Sequence, residues 1–349
     1  MDTRDTPEQA ELRRTSGQLA RELAPATVAD LDDITRAKRL AGAVREAGWL
    51  ELRDDAGDGA PLASAVEAAI VAEALGATVA DVAFSGPVLA ADLARRAGVP
   101  LPDNAAIALA PSLTIAAAVA GEQTTTPVYA VDAGSEPLDA AYVLVSAGTG
   151  HVFGRVALEA VEVIRQGSDL TRSVLGIASG APVHVADQRA ALTDDDLASW
   201  TALGLALTSA DLVGAMRGVL GVTVAYAAER QQFGVPVGSF QAVQHLLAEA
   251  QCLMEGSASV AAYASWAVDE LEPSDARAAG RVAKAYCARA GRTVCETAIQ
   301  VHGGIGNTWE CIAHVYLRRA LLSSEWFGDD GEQLRELQRE RLGVTDGLP

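Results

Sequence analysis

The sequence predicts a mainly α-helical chain with a small β-domain in its middle, and three observations carry that prediction. Residues 1 to about 104 and 191 to 349 are rich in alanine and leucine with the apolar residues at helical spacing. Between them, 105 to 190 change to short β-branched runs separated by glycines, the texture of short strands and tight turns. Half of the 349 residues are hydrophobic, enough for a large core and for two or three domains.

In chain order, the N-terminal helical domain (1–104) is broken at Gly48 and at Gly57-Asp58-Gly59, and its helical pattern resumes from Leu62 to Gly76. The middle β-domain (105–190) contains Pro127-Val128-Tyr129-Ala130-Val131 and Tyr142-Val143-Leu144-Val145, punctuated by Gly121, Gly134, Gly148, Gly154 and Gly167. Thr193-Asp194-Asp195-Asp196 then supplies an N-cap with acidic residues in the first turn. From it a helix that is apolar on most faces is expected to run to about Gln232, at the centre of a bundle or in an oligomer interface. Further helices are expected over about 239–270 and 274–301, with small residues (Ala261, Ala264, Ser265, Val268) on one stripe, and a last one from near Trp309. These helices make up a C-terminal bundle, 191–349. No internal repeat is evident.

Forty-six acidic residues against twenty-seven basic ones leave a net charge of −19. Nucleic acid and anionic membrane are therefore not expected as partners, and any phosphate must be held by a local arginine or a helix end. Met1 to Glu8 carry charge where a signal peptide needs an apolar stretch, and no uninterrupted apolar run of about eighteen residues occurs, so a cytoplasmic location is expected. Cys252, Cys287, Cys295 and Cys311 lie in helical patterns without CxxC spacing, which predicts buried thiols and no metal site. His151, His184, His245 and His314 are isolated from any acid or nucleophile in sequence.

Two segments carry chemistry. Arg230-Gln231-Gln232-Phe233-Gly234 is followed by Gln241, and about seventy residues on stands Gln300-Val301-His302-Gly303-Gly304-Ile305-Gly306. Each follows a long helical pattern, and in each a glycine breaks the helix so that bare backbone N–H groups can approach a diphosphate, with an arginine as counter-ion. A GGxG between helices can equally be a C-cap and turn. The pair, with Gln241 seven residues after Gly234 and Arg318 twelve after Gly306, resembles the acyl-CoA dehydrogenase family. The order helical bundle, β-domain, helical bundle is also that family's, so the resemblance extends over nearly the whole chain.

The resemblance implies FAD as cofactor. It places Arg230 and Phe233 at the FAD diphosphate and adenine side, Gln241 at the family's spacing beyond them, and Gln300, Gly303 and Gly304 where a second subunit's backbone meets the adenosine half. Arg318 falls at a structural arginine, and His302 is expected to pack against the cofactor edge. The reaction of the family, α,β-desaturation of an acyl-CoA thioester, needs a carboxylate base for the α-proton. Its two usual positions are held here by Phe327, nine residues after Arg318, and by Gly204, thirty before Gly234 and followed by Leu205. Glu325 is the fallback candidate, with Asp329, Asp330 and Asp211 as further substitutes. In the β-domain only Thr125-Thr126-Pro127 and Ala133-Gly134-Ser135 echo the family's flavin-ring segments, and Trp200 and Trp326 are expected to be packing residues.

A chain with the adenosine-end residues and without a carboxylate at either base position resembles the short subunit of the heteromeric (α2β2) acyl-CoA dehydrogenases of actinobacteria, which act on steroid-derived CoA thioesters. That resemblance implies a paralogous acyl-CoA dehydrogenase subunit as partner, an acyl-CoA substrate and electron-transfer flavoprotein as acceptor. Two other readings stay open: a self-sufficient homotetramer with a displaced carboxylate, and a structural paralogue that binds no FAD.

Overall fold

Reciprocal caps set the helix starts that the sequence signals. The computed structural model describes residues 4–342 apart from 101, 103–104, 115–118, 121, 134–137, 139, 148–149, 161–162 and 186–191. Helix α1 (Pro7–Leu23) opens on Thr6, whose Oγ1 accepts the Gln9 N–H at 3.2 Å while its own N–H donates to Gln9 Oε1 at 3.1 Å. Helices α2 (Ile34–Glu46), α3 (Ala65–Ala77) and α4 (Ser85–Ala97) complete the N-terminal helical part, and Gly98, at φ +63°, ends α4 in the left-handed conformation.

Among the described residues nine strands follow: β1 (Ala105–Leu109), β2 (Val119–Ala120), β3 (Gln123–Thr124), β4 (Val128–Val131), β5 (Ala140–Ala147), β6 (Gly150–Val156), β7 (Val163–Gln166), β8 (Val174–Ile177) and β9 (Val183–Val185). Seven make one sheet in the order β7-β8-β4-β1-β5-β6-β9, and β2 pairs with β3 separately. Only β1 and β5 run parallel; the other neighbours are antiparallel. Apolar side chains bury one layer of this sheet among themselves, including Val128, Ala130, Val143, Val156 and Ile177. Ile107, Leu109, Val131, Leu144 and Phe153 pack instead into the core shared with the helices.

Helix α5 (Asp194–Glu229) starts at Thr193, which shares a capping box with Asp196. It is buried on all sides between Leu197 and Met216 because it has no polar face to turn outward. An 18-residue stretch of α5 is apolar enough to cross a membrane, but 78% of it is buried inside the protein, which makes it the core helix. Glycines let its neighbours come close: a Cβ on Gly214 would stand 2.1 Å from the Glu73 carbonyl oxygen of α3.

Helix α5 stops at Glu229, short of the expected Gln232. Phe233 (φ +53°) and Gly234 (φ +80°) turn the chain left-handed, and β10 (Gln231–Gln232) and β11 (Val235–Pro236) close a two-residue hairpin. Helices α6 (Gln241–Glu270) and α7 (Pro273–His302) lie beside α5, joined by a short turn with Pro273 at the first position of α7. A 3₁₀ turn (Gly303–Asn307) leads to α8 (Ala313–Glu325), which begins four residues after Trp309, and α9 (Asp330–Leu342) follows. Cys287, Cys295 and Cys311 are buried as expected, whereas Cys252 is exposed on α6, where the first turns face solvent. No group of three or more metal-ligating side chains occurs among the described residues.

Candidate functional site

The two sequence segments meet at one end of the bundle. Arg230 caps α5, its N–H donating to the Tyr226 carbonyl at 2.8 Å, so its position is set by the last turn of that helix. Its exposed guanidinium makes no hydrogen bond or ion pair among the described residues. Phe233, at the hairpin tip, is 94% exposed and leans edge-on against Phe240 at 6.2 Å, which stands just before Gln241 at the exposed start of α6. Its positive φ is what the two-residue hairpin turn requires, and its ring, almost wholly in solvent, is free for a contact outside the chain.

Helix α7 brings up the glycine turn. Gln300 is exposed near its end, and the Gly303 N–H caps the helix by donating to the Gln300 and Ile299 carbonyls. Gly303 adopts φ +68° and ψ −144°, open to glycine alone, and nothing lies within 4 Å of where a Cβ would stand on Gly303 or Gly304. Backbone is thus bare to solvent on that side. Gly306, in contrast, is buried because a Cβ there would stand 2.7 Å from the Ile299 carbonyl oxygen. His302 stacks on Tyr226 with ring centroids 4.4 Å apart, its Nδ1 lies 2.8 Å from the Ala298 carbonyl oxygen, and the Tyr226 hydroxyl donates to the His302 carbonyl at 3.3 Å. An uncommitted guanidinium, an open glycine backbone and an exposed ring within one surface fit the diphosphate and adenosine parts of a dinucleotide.

The two positions at which the resemblance expects a base, Gly204 and Phe327, lie against each other. The Phe327 ring lies against Gly204, so closely that a Cβ on Gly204 would be 2.3 Å from Phe327 Cζ. Phe327 sits at φ +67°, its N–H donates to the Leu113 carbonyl at 3.0 Å, and its carbonyl accepts the Gln333 Nε2 at 2.6 Å. Trp200 packs on it at 5.3 Å and Trp326 at 5.9 Å, while the Trp200 indole donates to the Leu89 carbonyl at 2.7 Å. Lined by Gly86, Leu89, Ile107, Leu109, Val131 and these three aromatics, the remaining cavity is about 10 Å³. That is room for one water at most. Buried Lys284 donates to the Ser323 carbonyl and, at 2.6 Å, to the Trp326 carbonyl, pinning the same segment from below. Burial brings its pKa down to about 7.

None of the substitute carboxylates faces that cavity. Asp211 is buried in ion pairs with Arg172 and, at 2.7 Å, with Arg319, and it accepts the Ser323 hydroxyl at 2.7 Å. Burial alone would raise its pKa, but the two guanidinium groups hold it at about 2, too acidic for a base near neutral pH. Glu325 ends α8 in solvent. Asp329 accepts the Glu332 N–H at 2.6 Å as a cap of α9, and Asp330 pairs with Arg289 at 3.0 Å. Of the flavin-ring echoes, Thr125-Thr126-Pro127 lies in the loop before β4, whereas Gly134 and Ser135 lie outside the described residues.

Sequence reasoning missed the residues that join the parts. Arg318 is half-buried, donating to the Ser168 carbonyl at 3.1 Å and lying over Trp309, while its neighbour Arg319 is the one in the core, also reaching the Ala80 carbonyl at 2.8 Å and Thr171 Oγ1 at 3.0 Å. Arg172, Asp211 and Tyr226 carry no local signal of their roles.

Residues 203–342 match the family described as acyl-CoA dehydrogenase, C-terminal domain. FadE34 of Mycobacterium tuberculosis, an acyl-CoA dehydrogenase, is 37% identical over 182 residues, half of this chain and 24% of that protein. The acyl-CoA dehydrogenase IpdE2 of Mycolicibacterium smegmatis is 37% identical over 172 residues, 49% of this chain and 50% of that protein. The chain thus spans between a quarter and half the length of these curated relatives. Among solved structures, the ChsE4-ChsE5 complex of Mycobacterium tuberculosis shares the fold at a TM-score of 0.81 and 23% identity, over 99% of this chain and 100% of that one. A Tcur3481-Tcur3483 steroid acyl-CoA dehydrogenase variant does so at 0.76 and 21%, over 97% and 99%. The C-terminal helices, residues 203–342, thus match the acyl-CoA dehydrogenase C-terminal domain, and the whole chain shares the fold of these structures.

Proposed function

We propose that this chain is a subunit of a cytoplasmic, FAD-dependent acyl-CoA dehydrogenase and that it contributes the adenosine half of a cofactor site completed by a paralogous partner. The observation that carries this reading is a contrast within one chain. The dinucleotide-binding end is open and uncommitted, while the positions of the base are filled by an aromatic plug. Arg230 neutralises the diphosphate of FAD, the backbone of Gly303 and Gly304 comes close to the adenosine half, and Phe233, with Gln241 and Gln300, borders it. FAD, when bound, supplies the hydride acceptor for desaturation of the acyl thioester. A carboxylate base would need a position beside the reacting carbons, and here the Phe327 ring on Gly204 leaves beside it a cavity of about 10 Å³, too small for a carboxylate. The partner therefore supplies the glutamate, the flavin contacts and most of the acyl pocket.

The fold shared with the ChsE4-ChsE5 complex supports a two-subunit assembly, and the fold shared with a steroid acyl-CoA dehydrogenase supports a steroid-derived CoA thioester as substrate. Electron-transfer flavoprotein is the acceptor in this reading. The self-sufficient alternative is disfavoured by the ion-paired state of Asp211 and the outward position of Glu325. Co-expression with a longer paralogue that keeps the glutamate, followed by absorbance near 450 nm, tests the proposal. It expects about one FAD per heterodimer and little in the chain alone; stoichiometric flavin in a homo-oligomer of this chain would overturn it, and absence of flavin from every assembly would favour the purely structural paralogue.

A further inference from the structure

The two cofactor segments are built on different helices, far apart in sequence, and Arg230 and Gly303 must be held at a fixed separation to serve one dinucleotide. Beyond the packing of α5 on α7 along their length, a side-chain junction lies between them at this end. Tyr226 lies one turn before Arg230 and accepts that residue's N–H at its carbonyl, so any shift of the Tyr226 backbone moves the Arg230 Cα with it. Across the gap, His302 is the residue immediately before Gly303. Its carbonyl, in the same peptide unit as the Gly303 N–H, accepts the Tyr226 hydroxyl at 3.3 Å, and the two rings stack at 4.4 Å with 27° between their planes.

His302 itself cannot drift. It is buried, and its Nδ1 lies 2.8 Å from the Ala298 carbonyl oxygen one turn back; a carbonyl can only accept, so Nδ1 donates there and the ring's rotation is fixed. The glycine turn on the other side is held by backbone alone, the Gly303 N–H donating to the Gln300 and Ile299 carbonyls, while Gly303 and Gly304 have open space where side chains would be and Gly303 sits at φ +68°.

We infer that Tyr226 and His302 form a positioning pair that sets the spacing between the Arg230 guanidinium and the Gly303-Gly304 backbone, and so the affinity for the dinucleotide. The inference rests on the proposed FAD reading. In this account His302, buried against Tyr226, does not pack against the cofactor edge as the resemblance implies; both residues act through the peptide that meets it. A stacked aromatic pair and one hydrogen bond are of the size that, lost from a pre-organised site, weakens binding by about tenfold.

The test compares FAD dissociation, read as recovery of free-flavin fluorescence, in the full chain co-purified with its flavin-holding partner. Four versions are needed: wild type, Tyr226→Phe, Tyr226→Ala and Arg230→Ala. Tyr226→Phe keeps the stack and is expected within about threefold of wild type. Tyr226→Ala is expected to raise the dissociation constant about tenfold. Hydrogen exchange supplies a second reading in the same proteins, where Tyr226→Ala should speed the amides of 303–307 and 231–234 while those of α3 and α5 stay as slow as in wild type. If Tyr226→Ala does not fold, His302→Ala removes the same stack from the other side and takes its place. Unchanged FAD affinity in Tyr226→Ala beside a weakened Arg230→Ala would overturn the positioning role and leave the FAD reading standing. Unchanged affinity in Arg230→Ala would overturn the FAD reading itself, and faster exchange throughout the chain would reduce Tyr226 to a general packing residue.

Discussion

Replacing Gly204 by alanine is the sharpest test of the plug. The added Cβ would stand 2.3, 2.5 and 2.6 Å from Cζ, Cε2 and Cε1 of Phe327, where ordinary carbon contacts need about 3.5–4.0 Å. The ring has nowhere to retreat, since Trp200 and Trp326 pack against it and hydrogen bonds to Leu113 and Gln333 hold its backbone. Overpacking of this kind costs about 3 kcal/mol, offset by about 1 kcal/mol from the better helix propensity of alanine, so Gly204→Ala should lose about 2 kcal/mol. Phe327→Ala alone should lose about 3–5 kcal/mol through the cavity it leaves. In the Phe327→Ala background the clash is gone, and Gly204→Ala should become neutral or stabilise by about 1 kcal/mol. The coupling energy is then about 3 kcal/mol, measurable by denaturant titration of the four proteins followed by circular dichroism. Additivity within about 0.5 kcal/mol would refute the contact, and with it the account of why both base positions are closed to a carboxylate.

Three further outcomes follow from the buried charges and the exposed acids. Asp211 has its pKa lowered from 3.8 to about 2, so its ion pairs contribute about 2 kcal/mol that is present above about pH 4 and lost as the pH falls through about 2; Asp211→Asn should cost about 3–5 kcal/mol at pH 7, and equal stability of wild type and variant in a urea titration would contradict this. Lys284 has its pKa lowered from 10.5 to about 7, so the unfolded chain binds a proton there that the folded chain has released. Stability should rise by about 2 kcal/mol between pH 7 and 9 in wild type relative to Lys284→Met, and parallel pH profiles of the two would show that the lysine does not titrate in the fold. Glu325→Gln, Asp329→Asn and Asp330→Asn should each leave turnover of the assembled enzyme within a few-fold of wild type, because none faces the plugged region; a loss of about a hundredfold or more in any of them, with flavin content intact, would identify a relocated base in this chain.

What was legible in the sequence was local. Thr193 announces its helix because a cap with acid in the first turn spans only four residues, and the apolar run after it predicts a buried helix because no stripe of it is polar. The glycine turn after His302 and the arginine at Arg230 could be picked out for the same reason: each is a short segment of distinctive residue types, although their spacing is set by what packs between them. Even there the end of α5 was misjudged, since a Phe-Gly hairpin loop has weak sequence signal beside a strongly helical one. The rest was decided by tertiary contacts. Composition says that Asp211 is an acid; only the packing of Arg172 from the β-region and Arg319 from α8 makes it an ion-paired one at a pKa of about 2. Gly204 and Phe327 stand out in the sequence only as the places where the resemblance expects a base; that they touch each other, as Tyr226 and His302 do, is decided by the fold. A hydrophobic pattern fixes which residues leave water, because transfer from water is non-directional, but which of them become neighbours depends on the close packing of whole helices and sheets, and that is settled only when the chain has folded.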